Sequence, residues 1–167
     1  MQRARGSKEA LDRLRLGGFM RSAGLALLLL ASPIGLATAD ASARDREILK
    51  NFGMLGRLAI NCAAPASREN PYVIFAVAPD GKATRTLEMK DPALDATLPI
   101  RNVRLLSPDR LQYDETGRQS ELIVTFAKVG GKFRSWHSMR VNGTVLVADG
   151  KFVSSGSPTQ ALEACRK

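Results

Sequence analysis

The side chains in this sequence that could carry chemistry are few, and its two cysteines are the most distinctive among them. Cys62 and Cys165 stand far apart in the chain, so they form neither a Cys-x-x-Cys redox motif nor a closely spaced pair of metal ligands. Two cysteines of a small domain usually pair in an oxidising compartment. We therefore predict a disulfide bond between Cys62 and Cys165 that ties the start of the domain to its end.

The single histidine, His137, stands close in sequence to Ser135 and Ser138, which raises the hypothesis of a serine hydrolase. Adjacent residues of a strand point to opposite faces, and the sequence has no Gly-x-Ser-x-Gly motif. A histidine bonded to backbone or water is the simpler interpretation, and the hydrolase stays the least favoured alternative. One histidine and two paired cysteines do not make a ligand set. We predict no catalytic residue, no metal and no cofactor.

A strand-like segment carries Arg134, Trp136, Ser138 and Arg140 at every second position. A period of two places these side chains on one face of a strand. An outward face of this kind presents an aromatic ring between two guanidinium groups, which suits an anionic or aromatic partner. We predict a binding face here for an anionic envelope component or an acidic protein. The alternative is that Trp136 lies in the core with the arginines packed on it.

The first 39 residues have the layout of a secretory signal peptide. A basic segment precedes an uncharged apolar run at 23–31, and Ala37-Thr38-Ala39 then provides the small residues that signal peptidase reads. We predict residues 1–39 as a signal peptide, cleaved before Asp40, and a periplasmic or secreted protein. The apolar run is shorter than the roughly 20 residues that a spanning helix needs. We therefore expect no stable membrane span after cleavage.

The formal net charge of +9 belongs partly to this leader, which holds six of the 25 Lys and Arg residues and two of the 16 Asp and Glu residues. The remainder keeps an excess of about +5. Such an excess favours loose attraction to anionic surfaces and does not bear on the fold. Since export removes the protein from the cytoplasm, we do not predict a nucleic-acid partner. The oligomeric state stays open.

Short alternating segments separated by turn signals dominate the rest of the chain. Pro79-Asp80-Gly81, Gly130-Gly131 and Asn142-Gly143 are typical of tight turns between antiparallel strands. We predict a mainly β fold over 52–167: an antiparallel meander of about eight strands that forms a small barrel or sandwich. Ser157-Pro158 is typical of a helix start, so we predict a short C-terminal helix over 158–165. Residues 40–51 are predicted to be a flexible N-terminal tail.

Three segments also resemble a known group of proteins: Asn61-Cys62-Ala63-Ala64-Pro65-Ala66-Ser67-Arg68-Glu69-Asn70-Pro71-Tyr72, Arg101-Asn102-Val103-Arg104-Leu105 and Arg134-Ser135-Trp136-His137-Ser138. They resemble a family of small, exported, uncharacterised proteins of Gram-negative bacteria, over most of 52–167. The resemblance brings no known activity and no catalytic residues. At the level of fold alone, a β-meander tied to its own C-terminus is similar to periplasmic lysozyme inhibitors and small ligand-carrying barrels.

The function that these observations favour is a non-enzymatic binding or interaction module at the cell envelope. The alternative is a small β-barrel that carries an apolar ligand, as a lipocalin does. That alternative requires a cavity lined by residues such as Phe75, Leu122, Phe126 and Val145.

Overall fold

The computed structural model describes residues 36–166, in which one helix precedes a single antiparallel sheet. The predicted signal peptide lies almost entirely outside these described residues. In chain order the elements are α1 (Leu36–Phe52), β1 (Gly56–Ala59), β2 (Tyr72–Val77), β3 (Ala83–Glu88), β4 (Ala96–Ser107), β5 (Arg110–Thr116), β6 (Glu121–Val129), β7 (Lys132–Arg140), β8 (Val145–Ala148), β9 (Lys151–Phe152) and β10 (Glu163–Ala164).

The predicted antiparallel meander is confirmed, since strands β1 to β9 are neighbours in the sheet in the order of the chain. Strand β10 pairs with the other edge of β1, where Leu58 lies opposite Ala164. The sheet curls into a half-barrel, and Phe133 of β7 bridges to Leu162 just before β10. The described sheet has ten strands rather than eight because β9 and β10 are two residues long, too short to show an alternation.

The turn signals fall where the chain reverses. Gly130 and Gly131 join β6 to β7 with φ angles of 58° and 78°, a backbone conformation that glycine adopts without steric strain. Asn142-Gly143 joins β7 to β8, and the backbone N–H of Arg140 donates to the carbonyl of Thr144 at 2.9 Å across this turn. Local turn chemistry therefore sets the register of the strands that carry the site described below.

The segment 40–51, predicted to be a flexible tail, instead forms most of helix α1. Leu49 and Phe52 of its last turn belong to the hydrophobic core, and the Phe52 ring lies 5.8 Å from the Phe133 ring. The helix ends before Gly53, whose φ of 83° is typical of a residue that terminates a helix. The prediction of a flexible tail was wrong because only a few apolar residues anchor the helix. They stand among many charged residues, so the sequence does not show a clear apolar face.

The predicted C-terminal helix over 158–165 is also wrong, because residues 157–165 form an extended segment that we call the C-terminal strap. Leu162 and Phe133 exchange two backbone hydrogen bonds of 2.7 and 2.8 Å, and β10 then pairs with β1. A helix of eight residues is marginal by itself. The extended strap instead bonds to both sides of the half-barrel and buries Thr159 and Leu162.

The hydrophobic core occupies the concave side of the sheet. Strand β5 illustrates the alternation, since Leu111, Tyr113 and Glu115 are buried while the residues between them are more exposed. The core joins inward residues of the strands to the end of α1 and to the strap: Leu49, Phe52, Met54, Leu58, Val73, Phe75, Val77, Ala83, Ile100, Val103, Leu111, Tyr113, Val124, Phe126, Phe133 and Leu162. Glu115 is the charged residue of β5 at an inward position, and it leads to the candidate site.

Candidate ligand-binding cavity

A cavity of about 270 Å³ opens on the concave side of the half-barrel, next to the core. Strands β2, β3 and β5 to β9 and the C-terminal strap all contribute to its lining. One part of the wall is apolar, formed by Val73, Leu122, Val124, Phe126, Leu146, Val147, Phe152 and Leu162. The other part is polar, formed by Arg85, Tyr113, Glu115, Ser135, Ser138, Thr159 and Gln160. The cavity therefore has the two-sided character of a site for a small amphipathic molecule.

The sheet register brings two opposite charges together at the polar part of this cavity. Ile100 of β4 pairs with both Ala83 of β3 and Glu115 of β5, so inward residues of these three strands are neighbours. Arg85, two residues beyond Ala83, reaches Glu115 with two hydrogen bonds. Its Nε donates to Oε2, and its Nη2 donates to Oε1 at 2.9 Å. Both carboxylate oxygens are thus held by one guanidinium group.

This ion pair is buried, with 17% of the Arg85 side chain and 1% of the Glu115 side chain exposed. Burial by itself would lower the pKa of Arg85. The hydrogen bonds that Arg85 donates to Glu115, together with the nearby Tyr113 and the Glu115 charge, outweigh burial and raise this pKa. Arg85 therefore stays a cation inside the protein. A buried charge needs such a partner, because an unpaired one is strongly destabilising.

Tyr113 lies beside the ion pair and is fully buried. Its ring packs 5.7 Å from Phe75 and 6.3 Å from Phe126, measured between ring centroids. Its hydroxyl oxygen has no hydrogen-bond partner among the described residues. Burial raises the pKa of Tyr113, and Glu115 raises it further, although Arg85 acts in the opposite direction. The cavity wall therefore contains a neutral hydroxyl with unused hydrogen-bonding capacity, which is uncommon for a buried polar group.

The C-terminal strap supplies one side of the cavity. The Thr159 hydroxyl donates to the carbonyl of Ser135 at 2.7 Å, and the Thr159 backbone N–H donates to the carbonyl of Gly150 at 2.8 Å. These bonds hold the strap against β7 and the turn after β8. The predicted disulfide Cys62–Cys165 is confirmed, and it anchors the far end of the strap beyond β1. The cavity thus depends on a segment that is tied down at both ends.

The predicted binding face of Arg134, Trp136, Ser138 and Arg140 is divided between the two sides of the sheet. The register between β6 and β7 shifts at Trp136, which is the extra residue of a bulge. Before the bulge Arg134 pairs with Ala127, and after it Ser138 and Arg140 pair with the inward residues Val124 and Leu122. Ser138 therefore lines the cavity, while Arg140 lines a shallow groove with Leu122 and Leu146.

Arg134 and Trp136 share the convex side of the sheet with Arg110 of β5. The Arg110 guanidinium carbon lies 4.4 Å from the centre of the Trp136 ring, a cation–π contact. Both Arg134 and Trp136 lie close to Gly150, where an added Cβ would stand 3.1 Å from Cδ of Arg134 and 3.3 Å from the Trp136 ring. A smaller aromatic and basic surface of Arg110, Arg134 and Trp136 therefore replaces the four-residue face.

His137 lies apart from the two serines that suggested a hydrolase. It pairs with Thr125, whose hydroxyl accepts a hydrogen bond from the Gln112 side chain at 3.0 Å on the convex side. Ser135 and Ser138 line the cavity on the concave side. The sheet therefore separates the histidine from both hydroxyl groups. Within the described part of the chain, no three His, Cys, Asp or Glu side chains are grouped so that they could hold a metal ion.

The cavity overlaps in part with the one that the ligand-carrying alternative requires. Leu122 and Phe126 line it, whereas Phe75 packs behind Tyr113 and Phe126. The cavity is lined on β8 by Leu146 and Val147 and not by Val145, which the alternative requires. A second register shift lies between Ser138 and Met139 of β7, where β7 pairs with β8.

The polar part of the cavity was missed by reasoning from the sequence. The sequence does contain an indication of it. Arg85 lies two positions from Leu87, and Glu115 lies two and four positions from Tyr113 and Leu111, so each charged residue shares the inward face of its strand with apolar residues. A charge at an inward position of a strand indicates a buried partner. Nothing in the local sequence indicates that Arg85 of β3 and Glu115 of β5 form an ion pair across β4.

Comparisons of the chain with protein-family models, with curated proteins and with solved structures find no match. The resemblance to exported proteins of Gram-negative bacteria therefore stays a prediction. Among residues 36–166, no helix combines the length and the apolar character that a membrane crossing requires.

Proposed function

We propose that this protein is a non-enzymatic binding module that holds a small, mainly apolar molecule in the cavity of its half-barrel. The observation that carries the proposal is one cavity of about 270 Å³ that combines an apolar wall with Tyr113, a lining residue whose buried hydroxyl has no hydrogen-bond partner among the described residues. Small-molecule sites typically join apolar walls to a few well-placed polar groups. A ligand in this position would gain contacts with the apolar wall and offer Tyr113 a hydrogen bond that the described residues do not provide.

The disulfide supports a place of action outside the cytoplasm. Disulfides form and persist in the periplasm and in secreted proteins, and they are rare where thiols are kept reduced. The Cys62–Cys165 bond fixes the strap that carries Thr159 and Leu162 into the cavity wall. We therefore propose that the protein binds its ligand in the cell envelope, where this bond is stable.

The test uses the oxidised protein and four probes, namely 1-octanol, octanoate, octylamine and toluene, with binding measured by calorimetry and by NMR shifts of methyl groups. We expect at least one probe to bind and to shift the methyl signals of Leu122, Val124 and Leu146. Leu146→Trp fills the cavity and should abolish this binding. Leu106→Trp is the matched control, because Leu106 is 54% exposed and lies outside the cavity. The absence of binding, or equal binding to both variants, contradicts the proposal.

The convex surface of Arg110, Arg134 and Trp136 supports a second candidate function, which is the predicted contact with an anionic envelope component. The Arg110 guanidinium is paired with the Asp109 carboxylate at 2.8 Å, whereas the Arg134 side chain has no hydrogen bond or ion pair among the described residues, so the Arg134 charge is available. Co-sedimentation with vesicles rich in anionic lipid tests this candidate. We expect Arg134→Glu to lower the bound fraction, whereas Lys82→Glu, four strands away in the sheet, should change it little. Equal losses from both variants would indicate attraction by net charge alone.

A further inference from the structure

The charged side chains that line the cavity neutralise each other. Among residues 36–166, Arg85 and Glu115 are its only charged lining residues, and two guanidinium nitrogens of Arg85 already contact both oxygens of Glu115. A carboxylate ligand would therefore bring a second negative charge to a single buried guanidinium group. Burial of an unmatched charge is costly, so a ligand acid would have to compete with Glu115 for Arg85.

The remaining polar groups of the wall are uncharged. Tyr113 offers a buried hydroxyl without a partner among the described residues, and Ser135, Ser138 and Gln160 add neutral side chains. A hydroxyl both donates and accepts hydrogen bonds, so it suits a ligand alcohol, carbonyl or amide group. These groups need no counter-charge in the protein.

The size of the cavity limits the ligand further. A volume of about 270 Å³ corresponds to roughly nine water molecules at about 30 Å³ each. This space accommodates a short single chain or one ring, and a larger ligand would extend beyond the cavity into solvent. The apolar side chains of β6 and β8 would contact the body of such a molecule.

We propose that the cavity, in which Tyr113 adjoins the mutually neutralised Arg85–Glu115 pair, selects a small uncharged amphiphile whose hydroxyl or carbonyl group bonds to the Tyr113 hydroxyl. This inference rests on the proposed function, because it names the ligand class for the same cavity. It assigns Tyr113 as the residue that recognises the polar group. It assigns Glu115 a second role, which is to keep Arg85 from attracting acids.

The test compares two probes of equal chain length, 1-octanol and octanoate, by calorimetry at about pH 7. We expect 1-octanol to bind about tenfold more tightly or better, because octanoate would leave an unmatched buried charge. Tyr113→Phe should weaken 1-octanol about three- to tenfold and leave toluene, which has no polar group, unchanged. Tyr72→Phe is the matched control, since Tyr72 bonds to the carbonyl of Ala64 away from the cavity.

Glu115→Gln provides a second readout, because it releases the Arg85 charge into the cavity and should strengthen octanoate binding about tenfold. Octanoate binding to the natural protein as tightly as 1-octanol would overturn the inference and leave the proposed function intact. An unchanged affinity of Tyr113→Phe for 1-octanol would also overturn it. Failure of all four probes, namely 1-octanol, octanoate, octylamine and toluene, to bind at all would overturn the proposed function and the inference together.

Discussion

The Arg85–Glu115 pair is the residue-level feature with the greatest expected effect on stability. Glu115→Gln should lower the free energy of unfolding by about 3–5 kcal/mol, because it leaves the Arg85 cation buried without a counter-charge. Urea denaturation at about pH 7 measures this difference. The double variant Arg85→Met/Glu115→Leu should lose much less than the single variant, since it leaves no charge unpaired.

The exposed pair of Arg101 and Glu121 provides the control for this prediction. Their side chains are 52% and 44% exposed, so water screens the interaction. Glu121→Gln should therefore change the free energy of unfolding far less than Glu115→Gln does. Similar losses for Glu121→Gln and Glu115→Gln would contradict the assignment of Glu115 to a buried pair.

Tyr113 should make the protein sensitive to alkaline pH. Because burial raises its pKa in the folded state above the ordinary value of about 10, the folded protein holds the proton more tightly than the unfolded chain. This contribution to stability is complete below about pH 10 and is lost as the pH rises further, through the folded-state pKa. Urea midpoints between about pH 8 and 11 should fall more steeply for the natural protein than for Tyr113→Phe. Parallel curves for the two proteins would contradict the prediction.

The side on which each residue lies was predictable wherever a strand keeps its period of two. Leu122 and Phe126 were placed correctly because β6 alternates without interruption through this part of its inward face. The sides on which Arg134, Trp136, Ser138 and Arg140 lie were not predicted correctly. Trp136 is one extra residue in β7, so the side chains after it point to the opposite face of the sheet from the one that a period of two predicts. A bulge of this kind depends on the partner strand, so the sequence of β7 alone does not reveal it.

At the scale of elements, the strands and turns were predictable and the two ends of the domain were not. Turns such as Gly130-Gly131 act locally, through the backbone conformations that glycine allows. Helix α1 and the strap owe their conformation to distant residues. Leu49 and Phe52 hold α1 against the sheet, and Leu162 holds the strap against β7. Propensity is weak in such short segments, and tertiary contacts decide their structure.

The strap should loosen when its disulfide is removed. The bond joins residues 103 positions apart, and the loss of such a bond typically costs about 2–5 kcal/mol because the unfolded chain gains freedom. In the variant Cys62→Ser/Cys165→Ser, we expect faster hydrogen exchange at the amides of Leu162 and Cys165, which bond to Phe133 and Arg57.

Binding of 1-octanol should also weaken in that variant, since Thr159 and Leu162 line the cavity. The amides of the β6–β7 hairpin other than that of Phe133 serve as the internal control, because their hydrogen bonds do not involve the strap, whereas the Phe133 amide donates to Leu162. Unchanged exchange in the strap would show that sheet pairing alone holds it. Equal acceleration in strap and hairpin would indicate general unfolding rather than local release.

At the scale of the whole molecule, the Cys62–Cys165 bond relates the fold to the predicted export. The strap joins Phe133 of β7 to β1 across the half-barrel, and it ends at Cys165. A reduced chain would keep the sheet but hold the strap only by its hydrogen bonds and by the packing of Leu162 in the core. We therefore expect the binding-competent protein to be the oxidised one, which links the proposed ligand binding to the predicted export.

Intact mass spectrometry of protein recovered from cells without reductant tests this link. We expect a chain that begins at Asp40 and gains two hydrogens on reduction, because export places Cys62 and Cys165 in an oxidising compartment. Cleavage before Asp40 removes only the first turn of α1 and keeps Leu49 and Phe52, so the core stays complete. A mass that includes residues 1–39, together with free thiols, would contradict both export and the disulfide in the cell. Chains that begin at Asp40 but carry free thiols would support export and contradict the disulfide in the cell. The link between export and the anchored strap would then be lost.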